Sequence, residues 1–475
     1  MLRSKNSPFG RRTAIVLLSL MGLACGGPSS IDATATAEPT LVLIRDLVPG
    51  ASSTPFGAFA SDGTEAFFKH GGEIWRTQGS DSSTQRFTSL PEGVQFDFSF
   101  VKAPGFLLIG GSSSTAGYEP WLVNETSTTL LDVNPDPPNS IEVTGSSYPQ
   151  LVTVVGSRMF FVACEGSGHY LFVTDGTASG TRMLAGPFDG RNNSGGKPCL
   201  SFLNIWTPTA FQGKLFFLAS SPENGQGLWS SDGTPEGTKQ VYQIDPNPHD
   251  GTPVFRFIPP PAVADLVVMG SSMYFRGSRD LWSSDGTPGG TVPMTSAGVF
   301  PTDLVASATR LFFLNSQGIW TSDGSRPGTR FLSSVRYSLQ GTTSPNPDMF
   351  ATGDTLYFGG TNSPAFYDPW ICDGVTARCE LLSDIRPGIE SSWPTDFAVV
   401  GSTVYFSAND GTGRYIWASD GTPSGTRRLG GQTAPTIVGG VGPALTRFIV
   451  RVRDGLVFAG KDPEHGTELW GIRTP

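Results

Sequence analysis

The sequence predicts an all-β chain of about nine four-stranded antiparallel units, eight if one degenerate unit does not form. Three observations carry this. A motif centred on one aromatic residue recurs every 38 to 57 residues, about 49 on average. Each unit holds four short apolar stretches, and no apolar stripe of helical spacing runs longer than about two turns. Composition agrees: 60 Gly and 38 Pro stand beside 32 Phe, 10 Trp and 10 Tyr, with 15% charged residues. Many turns and many aromatics suit short strands joined by tight loops. Consecutive apolar residues in the middle strands require burial on both faces, which blades packed around an axis supply. The expected fold is therefore a single β-propeller.

The motif runs EIWRTQGSDSST from Glu73, EPWLVNETSTT from Glu119, YLFVTDGTASGT from Tyr170, GLWSSDGTPEGT from Gly227 and DLWSSDGTPGGT from Asp280. It continues as GIWTSDGSRPGT from Gly318, DPWICDGVTARC from Asp368, YIWASDGTPSGT from Tyr415 and a truncated ELWGIRTP from Glu468. Its structural anchors are Trp75, Trp121, Phe172, Trp229, Trp282, Trp320, Trp370, Trp417 and Trp470. Seven to 13 residues upstream of each lies an apolar triplet, such as Met159-Phe160-Phe161, Leu311-Phe312-Phe313 or Phe106-Leu107-Leu108. With a looser strand before the triplet and another after the Gly-Thr, each unit has strands a, b, c and d. The Asp-Gly between c and d is turn chemistry: Asp bonds back to nearby N–H groups and Gly accepts positive φ. Each copy offers one carboxylate where calcium wants six to eight oxygens, so the turn is the better reading of these aspartates.

These segments resemble the ELWxxDGTxxGT repeat family, found in predicted exported proteins of myxobacteria and other bacteria. The resemblance covers essentially residues 41–475, and the copies at Trp229, Trp282 and Trp417 match nearly position by position. It implies a β-propeller and a surface location, and brings no catalytic residue with it. The copies at Trp75 and Trp121 lack the Asp-Gly.

Residues 41–50 repeat the pattern of strand d, yet no strand c precedes them, while Trp470 belongs to a strand c followed by only five residues. The N-terminal strand is thus expected to complete the last blade and close the ring, removing two edges.

Ahead of it, Arg3, Lys5, Arg11 and Arg12 precede an apolar run from Ala14 to Leu23, too short to span a bilayer and suited to a signal peptide. The run ends at Ala24-Cys25, similar to a bacterial lipoprotein processing site with Cys25 as the lipidated residue; Gly22 stands where that pattern prefers Leu. Residues 1–25 are the expected signal segment, 26–40 a small, polar tether, and 41–475 the propeller. Export sets an oxidising context for Cys164, Cys199, Cys372 and Cys379. Of the three possible pairings, proximity favours 372–379 with 164–199; four buried thiols are the alternative.

Removing residues 1–24 moves the formal charge from −9 to −13. An acidic chain without a basic block speaks against nucleic acid and against anionic lipid heads. His70, His169, His249 and His465 fall in different units, where surface positions are expected, and no nucleophile, metal or phosphate motif is present. No cofactor and no metal site are expected. The function expected is a monomeric surface binding module without catalysis, at the envelope or outer membrane or outside the cell. It would recognise a glycan or an envelope protein and touch the membrane through a lipid anchor only. A propeller enzyme acting on a polymer through the channel, or a purely structural envelope protein, are the alternatives. Loop excursions at 188–198, 222–226 and 245–261 share the face made by b–c and d–a connections. They offer Arg191, Asn192, Asn193, Asn224, His249, Arg256 and Phe257 as binding groups.

Overall fold

The computed structural model describes residues 38–50, 56–135, 145–165, 168–188, 205–221, 225–245, 266–277, 279–295, 299–335, 349–362, 367–388, 390–438, 449–453 and 455–474. Among them Pro39 to Thr474 build nine antiparallel sheets, almost without helix. Blade 5 shows the plan: strand a Leu266–Met269, b Ser272–Arg276, c Leu281–Ser284 and d Val292–Pro293, each paired with the next. Blades 1 to 4 span 56–89, 95–130, 150–185 and 205–245; blades 6 to 8 span 302–333, 349–381 and 395–428. Strand a of every blade touches strand a of the next, and that of blade 9 returns to blade 1. The fold is a nine-bladed β-propeller.

Blade 9 closes the ring as the sequence suggests. Its strand a is split into Thr436–Ile437 and Ile449–Val452, both paired with strand b, Gly455–Asp462. Strand c is Gly466–Arg473, and strand d is the N-terminal Thr40–Arg45, with Thr40 opposite Arg473 and Leu43 opposite Trp470. The degenerate units at Trp75 and Trp121 both form blades.

Among the described residues no central core forms. The described residues give nine apolar clusters, one between each pair of neighbouring blades. Phe160, Val162 and Leu171 of blade 3 meet Leu215, Phe217 and Trp229 of blade 4; Ile44 and Leu469 of blade 9 meet Phe56 and Phe68 of blade 1. The motif aromatic faces the last residue of the upstream triplet directly across the b–c ladder, as in Phe275 opposite Trp282 and Phe313 opposite Trp320. The rings stack, with centroids 6.3 and 5.9 Å apart. In blade 2 the partner of Trp121 is Ile109, one residue past the triplet that the sequence suggests.

The c–d loop is a closed hydrogen-bond circuit. In blade 5, Asp285 Oδ1 accepts from the Thr287 N–H (2.8 Å) and hydroxyl (2.7 Å). The Thr287 hydroxyl accepts from the Gly290 N–H (3.0 Å), and the Thr291 hydroxyl reaches the Thr287 carbonyl (2.7 Å) and shares a bond with Ser284 (2.8 Å). Gly286 adopts φ 91°, and a Cβ on Gly290 would collide with the Asp285 carboxylate. The same circuit holds in the loops of Asp232 and Asp420, with Ser325 replacing the Thr beside Asp323. Hydrogen bonds from these hydroxyls hold the four carboxyls below their usual range. Each Asp-Gly glycine also rests on an aromatic of the preceding blade: Gly233 on Phe160, Gly286 on Phe216, Gly374 on Phe312, Gly421 on Tyr357.

Blade 1 keeps this loop without the Asp-Gly, through Gly79 at φ 105° and the Thr77–Thr84 hydroxyl pair (2.8 Å). Blade 7 replaces the hydroxyl pair with a disulfide: Cys372 and Cys379 are direct cross-strand partners, Cα atoms 4.1 Å apart. Cys164 is also disulfide-bonded, and Cys199, its expected partner, lies outside the described residues.

Two outcomes follow from this packing. Deleting residues 40–45 strips Leu41, Leu43 and Ile44 from the clusters on both sides of blade 9, a loss on the order of 5 kcal/mol. The shortened protein should melt well below the parent by circular dichroism, and an equal melting temperature would refute closure by this strand. In blade 5, Gly290→Ala should destabilise less in an Asp285→Ala background than alone, because the colliding carboxylate is gone. A denaturation double-mutant cycle reads that coupling.

Candidate functional site

Antiparallel succession puts a–b and c–d turns on one face and b–c and d–a connections on the other. On the second face the chain enters strand a through a recurring corner. Between blades 2 and 3 it is Ser146-Ser147-Tyr148-Pro149; between blades 7 and 8 it is Ser391-Ser392-Trp393-Pro394. The N–H groups of Ser147 and Tyr148 both donate to the Tyr118 carbonyl (2.9 and 3.3 Å), while the Tyr118 N–H donates to the Ser146 hydroxyl (2.9 Å). The second corner repeats every bond: Ser392 and Trp393 onto the Tyr367 carbonyl (3.0 and 3.2 Å), and Tyr367 onto the Ser391 hydroxyl (3.1 Å).

These bonds pin a bulky residue in left-handed backbone. Tyr148 has φ 46° and Trp393 φ 48°; in the corner before blade 6, Phe300 has φ 50° and donates its N–H to the Arg279 carbonyl (3.0 Å). For an aromatic residue ahead of proline this conformation is strained, and such strain concentrates where a side chain must be presented. Presented they are. Phe300 is 54% exposed and Trp393 37%, among the few large apolar side chains open to solvent. Tyr148 is half-buried, stacked on Tyr118 at 5.2 Å, and Trp393 lies on Tyr367 at 5.0 Å.

Behind each corner sits a carboxylate two residues before the motif aromatic. Glu468 Oε2 accepts from the Leu47 N–H (2.5 Å) and Oε1 from Val48 (3.3 Å); Glu119 accepts from Val133 (3.1 Å); Asp368 accepts from the Ser392 hydroxyl (2.7 Å). All three are buried. Burial pushes each carboxyl up, Glu119 to about 7, against the Ser147 hydroxyl and the Val133 N–H and with the Asp132 charge adding to the rise. The sequence carries this signal as the acid of Glu-x-Trp or Asp-x-Trp in five copies (Glu73, Glu119, Asp280, Asp368, Glu468).

Along the channel, residue three past the aromatic is again left-handed: Leu151 (φ 52°), Asp303 (φ 53°) and Asp396 (φ 60°). Asp303 is buried and its carboxyl pushed up by that burial, against the Thr302 hydroxyl and the Arg276 charge. Asp396 accepts from the Thr395 hydroxyl (2.8 Å), which in turn accepts from Arg414 (3.0 Å). The two aspartates are of like kind, and blade 7 stands between them with an innermost strand, Met349–Thr352, free of titratable groups. Among the described residues no three His, Cys, Asp or Glu side chains gather to hold a metal.

Arg191, Asn192, Asn193, Asn224, His249, Arg256 and Phe257 lie outside the described residues, as does Cys25. The first excursion is anchored at its start by Phe188, which is buried against Phe217 (5.7 Å) and Trp229 (5.3 Å). His70 and His169, expected at the surface, are buried instead, because strands b and c run into the inter-blade layers at those points. His465 stays half-exposed beside Asp462 (2.9 Å). No helix among the described residues is long and apolar enough to cross a membrane.

No family model matches the chain, and no curated protein matches it. Among solved structures it is similar to a puromycin hydrolase mutant complexed with PGG, at 12% identity and a TM-score of 0.40, over 86% of this chain and 58% of that one. It is also similar to the β-propeller domain of the Trilobed protease from Pyrococcus furiosus (11% identity, TM-score 0.35, 72% of this chain and all of that one). Apo AztD from Citrobacter koseri is a third (9% identity, TM-score 0.37, 68% and 84%). The chain thus spans about 58% of the length of the puromycin hydrolase.

Glu119 gives the corner a pH signature. Its folded value, about 7, lies above the ordinary 4.5, so the folded state binds the proton more tightly than the unfolded state. That stability is fully present below pH 4.5 and is lost as pH rises through about 7. Glu119→Gln keeps an acceptor for Val133 and cannot ionise. Its melting temperature should fall less between pH 5 and 8 than the parent's; parallel curves would reject the assignment.

Proposed function

We propose that this chain is an exported, lipid-anchored binding module of the ELWxxDGT-repeat type, without catalysis of its own, that holds a glycan on the b–c and d–a face. The observation that carries the reading is the set of aromatics, Tyr148, Phe300 and Trp393, fixed in strained left-handed backbone on that one face. Folding holds them out at a conformational cost that burial alone would not require. They stand on blades 3, 6 and 8, spaced around the ring instead of pooled into one patch. A protein partner needs a contiguous desolvated centre, whereas a sugar chain uses separate flat rings, each under one pyranose face, amid polar groups.

Topology supports the orientation. Thr40 lies opposite Arg473, at the end of strand c, so the chain enters the propeller on the c–d turn face. An anchor at Cys25 and a tether over 26–40 would hold that face toward the membrane and leave the aromatic face outward.

Gel retardation in neutral soluble glucan, mannan and xylan tests the ligand class. The soluble 26–475 chain should be slowed by at least one of them. Trp393→Ala, Phe300→Ala and Tyr148→Ala should each weaken retention, by up to about tenfold per ring. A triple variant with the parent's melting temperature and undiminished retention would overturn the site. In cells, Cys25→Ser should move the protein from the membrane fraction to the soluble one.

A further inference from the structure

The opposite face carries a second feature, and it lies where the repeat breaks. From blade 3 through blade 8 the glycine of the c–d turn rests on an aromatic or tyrosyl side chain of the blade before it. Blade 2 lacks that turn. Its c–d hairpin is two residues shorter: Trp121 pairs with Leu130, where Trp229 of blade 4 pairs with Gln240. It closes through Asn124, whose side-chain oxygen takes the Thr126 and Ser127 N–H groups (2.9 and 2.8 Å). No glycine turn rests on the middle aromatic of blade 1, Phe67, which is buried under Lys102 and Phe87 instead. A cavity of about 1020 Å³ opens there, between the a–b turns of blades 1 to 3 and the hairpin of blade 2.

The walls are aromatic and the rim is charged. Phe67, Phe87 and Phe100 line the cavity. Lys102 sits 4.8 Å over the Phe67 ring and bonds Asp62 (2.7 Å) and Glu65 (3.3 Å). Arg76 sits 5.7 Å from the Phe87 ring and pairs with Glu125 (2.5 Å). Both cations are tucked in, their side chains 17% and 25% exposed, while the carboxylates of Asp62 and Glu125 face solvent at 42% and 59%. Three acids stand against two cations. An incoming group therefore meets the carboxylates of Asp62 and Glu125 first and the half-buried Phe87 ring beneath them, Phe67 and Phe100 being buried. These are the surroundings that Lys102 and Arg76 already show to suit a cation on an apolar stem.

We propose that this cavity binds an organic cation carried on an apolar stem, the chemistry of an arginine or lysine side chain. The short hairpin of blade 2 is the device that keeps it open. The site is independent of the glycan face, so neither reading falls with the other.

The test is calorimetry on the soluble 26–475 chain at low salt. The probes are acetyl-Phe-Arg-amide, the same peptide with neutral citrulline in place of arginine, and free argininamide. The arginine peptide should bind at least tenfold more tightly than the citrulline peptide. Argininamide binding as well as the arginine peptide would assign the site to small amines, and weaker binding to peptide segments; both support a cation site. Replacing residues 124–127 by the six residues 285–290 of blade 5 should restore the turn and abolish binding. The exposed Glu125→Gln, which leaves the backbone untouched, should weaken it at least threefold whether or not that graft folds. Equal affinity for arginine and citrulline peptides, or undiminished affinity in Glu125→Gln, would overturn the proposal.

Discussion

Burial of both faces of every sheet is the constraint on which the rest depends. A blade such as 4 presents Phe217 and Trp229 to one neighbour and Phe216 and Leu228 to the other. Any free face would expose a full layer of such side chains, so the array is stable only when it returns on itself. Closure therefore rests on the least repetitive piece, the strand Thr40–Arg45, which supplies Ile44 to one interface and Leu41 and Leu43 to the other. Nine blades is a large ring, and neighbours must diverge little. Glycine turns that let the c–d loops of blades 3 to 8 lie on the previous blade meet that demand.

The two faces solve their hydrogen bonding differently. On the turn face the loop of blade 5 closes on itself, Asp, Thr, Gly and Thr satisfying one another within eight residues, while arginines of the preceding blade add bonds to the loops of blades 4 and 7. On the other face the corners are held by buried acids: Glu119 and Glu468 take backbone N–H groups of the connecting chain, and Asp368 takes the Ser392 hydroxyl. The titration of the two sets has opposite sign. Burial raises the corner acids, whereas hydroxyl donors lower the turn acids. Stability is thus weakened from the acid side by the turns and from the alkaline side by the corners.

This division also explains what the sequence made legible. Turn chemistry is local, so Asp285-Gly286 declares itself within one motif, and so does the facing pair of Phe275 and Trp282 seven residues apart. The closing strand was legible because residues 41–50 copy strand d. The corner was not: Glu468 and Leu47 are 421 positions apart, and a carboxylate whose partner is a backbone N–H leaves no matching side chain to notice. A residue ahead of proline, such as Trp393, favours extended backbone; only the paired bonds onto Tyr367 reveal the left-handed kink. In blade 2 the triplet was misplaced by one because Ile109 carries no aromatic ring to mark the register.

A ring held by pairwise interfaces tolerates local departures, because each blade answers chiefly to its two neighbours. The departures are then informative. Asp-Gly turns, repeated from blade to blade, serve packing, whereas Trp393, at the position of the half-buried Tyr148, keeps 37% of its surface open to solvent while it packs on Tyr367. The hairpin of blade 2 is another departure. Restoring two residues would lay a glycine turn on Phe67, as on its counterparts elsewhere. The chain instead leaves Phe67 beside Lys102, a cation held over an aromatic ring and matched by two acids. A lost turn that had merely decayed would leave apolar surface open to water. Here the opening is rimmed with ordered charge, which marks it as a surface shaped for contact.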